Sequence, residues 1–303
     1  MSSPMPTRDF LDPDVLARLR GLPLFARKVM LGSVSGRHRS PHRGSSVEFA
    51  EYRKYVAGDD LRRLDWRAYG RTDRFFVKEF EADTNLRMVM VVDTSGSMGF
   101  GSTGLSKLDY AKRMAATLSY LAMEQGDAVG LACVAHRVLN QLPARRNPAH
   151  LSSLFDCLAN ARAEGETELI AVLHELAETV APHALVILFS DLFVQPELLQ
   201  PCFEHLRFRK HDVSVFHLLD PEEIAFDFER PTRFVDMENE NTVFAEPSEI
   251  ADAYQAAFRE YLEQTRQLML RAAVDYHRVG LDQSYEQVLS DFLVGRTQGR
   301  RGG

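Results

Sequence analysis

Residues 86–110 read LRMVMVVDTSGSMGFGSTGLSKLDY. The first eight form a short apolar run, rich in valine and ending on a carboxylate, as a strand buried on both faces does. A Gly/Ser loop follows, and Ser106 with Asp109 then supplies the S-x-x-D start of a helix. Leu108, Ala111, Ala115, Leu118 and Ala122 recur at helical spacing up to Gly126, a residue suited to the position just past a helix end. A second strand, AVGLACVA at 128–135, begins at once. Strand, loop, helix and strand in this order build a parallel sheet.

Outward from this core the alternation continues. Residues 138–142 suggest a short hairpin partner, and helical stretches follow near 148–162 and 168–180. ALVILFS at 184–190 is a third strong strand, again followed by a carboxylate, Asp191. A helix near 196–208 leads to a fourth strand, VSVFHLL at 213–219. The fold class expected is α/β: a doubly wound, mainly parallel sheet with helices on both faces, spanning residues 85–220. Residues 1–84 read as a basic, aromatic elaboration with β content. Residues 221–295 read as short β elements and C-terminal helices packed on the body, the long one opening at Pro247, and 296–303 as a disordered tail.

The composition supports this reading and removes several classes. With 303 residues, 45% of them hydrophobic, the chain can bury a core, which excludes wholesale disorder. Three cysteines cannot form a disulfide framework, and no apolar run approaches the roughly 18 residues of a membrane span. The N-terminus lacks the basic-then-apolar pattern of a signal peptide, so a cytoplasmic location is expected. The net charge of −7 is uneven: residues 1–90 hold 17 Lys/Arg against 12 Asp/Glu, and the other 213 hold 19 against 31. Neither excess is large enough to imply nucleic acid.

In an open parallel sheet, ligands bind beyond the carboxyl ends of the strands, where strand order reverses. Two strands here deliver oxygen donors to that edge. The first ends in Asp93-Thr94-Ser95-Gly96-Ser97, a D-x-S-x-S pattern with one carboxylate and two hydroxyls. The third ends in Ser190-Asp191, and Thr167 lies between them in Gly165-Glu166-Thr167. Asp93, Ser95, Ser97, Thr167 and Asp191 offer only hard oxygens, which suits Mg²⁺, with Mn²⁺ or Ca²⁺ as alternatives. Each residue also has a plainer reading: the serines as turn residues, Thr167 as a helix N-cap, Asp191 as a turn aspartate.

The same five residues resemble the metal-ion-dependent adhesion site of von Willebrand factor type A domains, in the expected order. The resemblance covers residues 85–220. It implies Mg²⁺ held directly by Ser95 and Ser97, with Asp93, Thr167 and Asp191 acting directly or through water. A partner protein's carboxylate would fill the open position.

A second resemblance lies upstream. Gly58-Asp59-Asp60-Leu61-Arg62-Arg63-Leu64-Asp65-Trp66, followed by Arg71 and Phe76-Val77-Lys78-Glu79-Phe80, is similar to the signature of the "domain of unknown function 58" family. In that family the segment precedes a type A domain, and members without membrane helices form a shorter branch. The resemblance implies partnership with a MoxR-type AAA+ ATPase in chaperone-like maturation or stress response. Arg62, Arg63, Arg67 and Arg71 are candidates for docking an acidic partner, or belong to a solvated, internally paired surface. Trp66 reads as an anchor for the segment.

Other signals carry less. Residues 99–104, GFGSTG, match G-x-G-x-x-G, but Asp93 and the serines hold the strand–helix junction that a pyrophosphate would need. Neither Ser95 nor Ser97 sits in a nucleophile elbow. No catalytic constellation emerges, and the expected function is a Mg²⁺-dependent protein-interaction module. The alternatives are a metal-dependent phosphoester hydrolase and a scaffold whose metal only stabilises the fold.

Overall fold

A computed structural model describes residues 10–24, 48–54, 76–81, 86–228, 230–239 and 241–298. Helix α1, Pro13–Leu19, is capped by Asp12, whose carboxylate accepts from the Asp14 and Val15 N–H groups. Strands β1, Glu48–Lys54, and β2, Phe76–Glu81, pair antiparallel. They belong to a compact unit of their own within residues 29–85. Every element described below belongs, with α1, to the other unit.

That unit begins with β3, Arg87–Asp93, a 3₁₀ turn at Gly96–Gly99, and α2, Lys107–Glu124. Ser106 caps α2 by accepting from the Asp109 N–H. Gly126, at φ +85°, turns the chain out of the helix in the left-handed region. Strands β4, Ala128–Val134, and β5, Val138–Arg145, follow, and then helices α3, Pro148–Asn160, and α4, Leu169–Thr179. Next come β6, Leu185–Ser190, α5, Pro196–Phe208, β7, Asp212–Leu219, and a short α6, Pro221–Ala225. Hairpin strands β8, Thr232–Val235, and β9, Thr242–Ala245, precede α7, Pro247–Arg271, β10, Asp275–Gly280, and α8, Tyr285–Gln298.

The central sheet runs β10-β7-β6-β3-β4-β5. All neighbours are parallel except β4 and β5, which pair antiparallel at the edge. Both faces of β3 are buried, so its apolar run needs no polar alternation. Val89 and Val91 join a core with Leu173 and Leu176 of α4, Phe203 of α5 and Leu268 of α7. Met88, Met90 and Val92 point to the other face, where α2 packs on β3 and β4. Burying each such side chain stabilises the fold by about 1.5–3 kcal/mol.

The sheet does not stop at residue 220. β10 pairs with β7 from Asp275↔Ser214 to Gly280↔Leu219, so the C-terminal stretch supplies the edge strand. Arg296 of α8 fastens this edge. Its buried guanidinium lies 3.0 Å from Asp212 Oδ2 and 3.3 Å from Asp275 Oδ2, and donates to Ser214 Oγ. The predicted strands at 86–93, 128–135, 184–190 and 213–219 all form, within a residue or so at each end.

Candidate functional site

Strand order places β4 on one side of β3 and β6 on the other, so the reversal point lies between β3 and β6. Asp93 closes β3, and Ser190-Asp191 closes β6, at the carboxyl ends where such a crevice opens. Two hydrogen bonds bind the D-x-S-x-S loop to the Thr167 loop: Gly96 N–H to Gly165 O at 2.8 Å and Glu164 N–H to Thr94 O at 3.0 Å. Gly165 takes φ +82°, which bends the chain at that contact. Thr94 donates both its N–H and its hydroxyl to Val134 O, and Met98 is fully buried beneath the turn.

Asp93, Ser95 and Ser97 meet on one loop. The Ser95 and Ser97 hydroxyls lie 3.2 Å apart. Asp93 accepts from the Ser95 N–H at 3.0 Å on one oxygen and from the Ser190 hydroxyl at 2.7 Å on the other. Thr167 does not cap a helix. The N-cap of α4 is Glu168, without a side-chain cap, and Thr167 Oγ1 is buried with no hydrogen-bond partner among the described residues.

Asp191 sits on a tightly held corner. Leu192 follows it at φ +51°, a strained value for leucine. The Leu192 N–H donates to Ser190 Oγ at 2.9 Å, and the Tyr261 hydroxyl donates to Leu192 O at 2.6 Å. His217 Nε2 lies 2.8 Å from Asp191 O. A carbonyl only accepts, so Nε2 carries the proton and Nδ1 accepts from the Tyr276 hydroxyl at 2.7 Å. Burial pushes the His217 ring down to about 4, which keeps it neutral.

The charges include three groups that the sequence reading does not pick out. Lys107 Nζ is 2.7 Å from Asp191 Oδ2 and 2.7 Å from Glu223 Oε1. Burial works against its charge, but these two carboxylates hold the ammonium above the ordinary lysine range. Burial first, and then the charge of Asp191, push the Asp93 carboxyl above the usual carboxylate range. Glu238, from the β8–β9 turn, accepts from the Thr167 N–H at 3.2 Å through Oε2. Burial raises its carboxyl, opposed by the Thr167 N–H and the Ser97 hydroxyl. Lys107 had one available signal: it precedes Ala111, Met114 and Leu118 on the same buried stripe. Glu223 and Glu238 had none, since their partners lie 116 and 71 residues away.

Arg62, Arg63, Arg67, Arg71 and Trp66 lie outside the described residues. The Gly-rich stretch 99–104 has an internal role: Ser102 donates its N–H and hydroxyl to Asp220 at 2.8 and 2.6 Å. Among the described residues, no three His, Cys, Asp or Glu side chains group as metal ligands. A cation here therefore depends on the hydroxyls. The donor set fits a hard cation on two counts: every donor is oxygen, and Thr167 Oγ1 is a buried hydroxyl with no hydrogen-bond partner among the described residues.

A family model described as "Protein of unknown function DUF58" matches residues 51–267. An uncharacterized protein of Mycobacterium tuberculosis (strain H37Rv) is 28% identical over 219 residues, covering 71% of this chain and 68% of that protein. Among solved structures, the conserved hypothetical protein BatB from Bacteroides thetaiotaomicron aligns at 18% identity with a TM-score of 0.45, over 71% of this chain and 100% of its own. The VWA domain of SpRpn10 aligns at 8% identity with a TM-score of 0.39, over 69% and 95%.

Proposed function

The chain belongs to the DUF58 family, and from that premise we propose that its strand-edge site holds one divalent cation, Mg²⁺ in the first place, that receives a carboxylate from a partner protein. The observation that carries this reading is the buried Thr167 hydroxyl, without a hydrogen-bond partner among the described residues, on a loop bonded to the one that pairs the Ser95 and Ser97 hydroxyls. Three neutral hydroxyls would be the direct ligands. Both Asp93 oxygens already accept protein hydrogen bonds, and Asp191 already accepts from Lys107. That arrangement suits carboxylates that act through water. When bound, the cation supplies an electrophilic position for an incoming carboxylate.

For the partner, the proposal is a MoxR-type AAA+ ATPase, as the family resemblance implies, with the chain acting as its adaptor. Among the described residues no helix is long and apolar enough to cross a membrane. Phe193, two residues beyond Asp191, is 75% exposed, so an apolar side chain stands at the rim where a protein partner would land.

Isothermal calorimetry with Mg²⁺ on the wild type and on Ser95→Ala/Ser97→Ala tests the site. The wild type should bind and the double variant should not, and equal affinities overturn the assignment. A pull-down with a candidate MoxR-type AAA+ ATPase should fail in EDTA and with Asp93→Ala. Binding that survives both separates a stabilising metal from a recognition metal.

A further inference from the structure

The β8–β9 hairpin brings its turn onto the D-x-S-x-S loop. A Cβ built on Gly96 would lie 2.2 Å from Met237 O, and one on Gly99 would lie 3.3 Å from Met237 Cε, so the turn rests on glycine surfaces. The turn is hydrogen-bonded within itself: Asp236 N–H donates to Asn241 O at 2.7 Å, and Glu238 N–H donates to Asp236 Oδ1 at 2.8 Å. This geometry delivers the Glu238 carboxylate to Thr167. Its Oε2 takes the Thr167 N–H, while Oε1 is buried with no hydrogen-bond partner among the described residues. The neighbouring Thr167 hydroxyl is in the same condition. Two buried oxygens without a partner among the described residues, on residues joined by a hydrogen bond, are expensive unless something positive lies near them.

The hairpin is lightly attached. Each of its strands has four residues, and Val235, Val243 and Phe244 are 49%, 62% and 73% exposed. On the inner side Phe234 stacks on Phe226 with ring centres 5.5 Å apart and meets Phe228 edge-on at 5.3 Å. A two-stranded element with so little burial opens at low cost.

We propose that Glu238 is an internal occupant of the partner position: the chain's own carboxylate completes the cation's shell at rest, and a partner carboxylate enters only when the hairpin lifts. This rests on the metal reading above and adds its regulation. A carboxylate tethered on a short turn competes at an effective concentration on the order of millimolar or more, so it holds off weak or stray acidic groups. A partner must displace it, which makes hairpin opening part of recognition.

The test uses Mn²⁺ as probe on the full chain, comparing wild type, Glu238→Gln and Ser95→Ala/Ser97→Ala. Free Mn²⁺ is followed by electron paramagnetic resonance, and Mn²⁺-bound water by proton relaxation. Glutamine keeps an acceptor for the Thr167 N–H but ligates poorly. Glu238→Gln should therefore weaken Mn²⁺ binding by about tenfold or more and add one exchangeable water, which acetate then displaces. In the wild type, acetate should displace none. Equal affinity and equal hydration in wild type and Glu238→Gln, with binding lost in the serine double variant, overturn the proposal and leave the metal reading standing. Absence of Mn²⁺ binding in the wild type overturns both.

Discussion

Replacing Lys107 with methionine removes the charge that Asp191 and Glu223 share and keeps the apolar stem that lies in the core. The ammonium is 2.7 Å from Asp191 and 2.7 Å from Glu223, and the three side chains are 2%, 5% and 27% exposed. Breaking a buried pair by deleting one partner costs about 3–5 kcal/mol, because the surviving charge stays in a poorly solvating place. The partly exposed Glu223 adds at most about 1 kcal/mol, since water can reach it. A total near 4 kcal/mol lowers the melting temperature of a unit of this size by roughly 10 °C. The measurement is urea unfolding at pH 7 in EDTA, repeated with saturating Mg²⁺. In EDTA, Lys107→Met should lose about 3–5 kcal/mol. With Mg²⁺ it should recover more than the wild type gains, because Asp191 without its ammonium is a stronger attractor and ligand binding to the native state stabilises it by mass action. A loss below about 1 kcal/mol in EDTA refutes the buried-pair accounting. Equal Mg²⁺ gains in the two proteins refute the coupling between Lys107 and the cation.

Two further perturbations read the scaffold. Arg296→Met strips the guanidinium shared by Asp212, Asp275 and Ser214; a loss of about 3–5 kcal/mol in urea unfolding is expected, with faster amide exchange at 275–280 than elsewhere in the sheet. His211 is held neutral, its ring pushed down to about 4 by burial while Nδ1 accepts from the Ala184 N–H at 3.3 Å. Its folded value lies below the ordinary 6.5, so the stability it permits is full above pH 6.5 and falls as pH drops toward 4, when the unfolded chain protonates first. The loss reaches about 3 kcal/mol at most, since polar surroundings screen part of it. His211→Gln should flatten that acid limb in unfolding measured from pH 7 to 4.5, and an unchanged limb counts against the assignment.

Much of the architecture is legible because its signals are local. β3, β4, β6 and β7 are continuous apolar runs, since helices cover both faces, and a run of that kind needs no knowledge of its neighbours. β10 escapes for the same reason inverted. Its residues read DYHRVG, with Tyr276 and His277 half-buried and Arg278 exposed, because an edge strand is covered on fewer sides. The five residues of the proposed site are legible as a motif on a strand end and its neighbours. The charges that surround them are not, because Lys107–Asp191 and Glu238–Thr167 join segments 84 and 71 residues apart. Only the folded sheet brings those segments to one edge.

That edge also changes the meaning of the acidic composition. Asp93, Asp191, Glu223 and Glu238 bring four carboxylates to this edge against one ammonium, Lys107, which pairs with Asp191 and Glu223, so the edge alone is anionic and repels another carboxylate. On the proposed reading, a divalent cation leaves about one net negative charge while Glu238 is in place, and the site stays closed to acidic partners. Withdrawing Glu238 with its hairpin brings the remaining three carboxylates, the ammonium and the cation to balance. An incoming carboxylate then meets an open metal position in a neutral surround rather than a repulsive one. The gate is thus electrostatic as well as steric. It follows that Glu238→Gln should open the site to acetate even if the hairpin never moves, which is why acetate access to bound Mn²⁺ tests charge and coordination together.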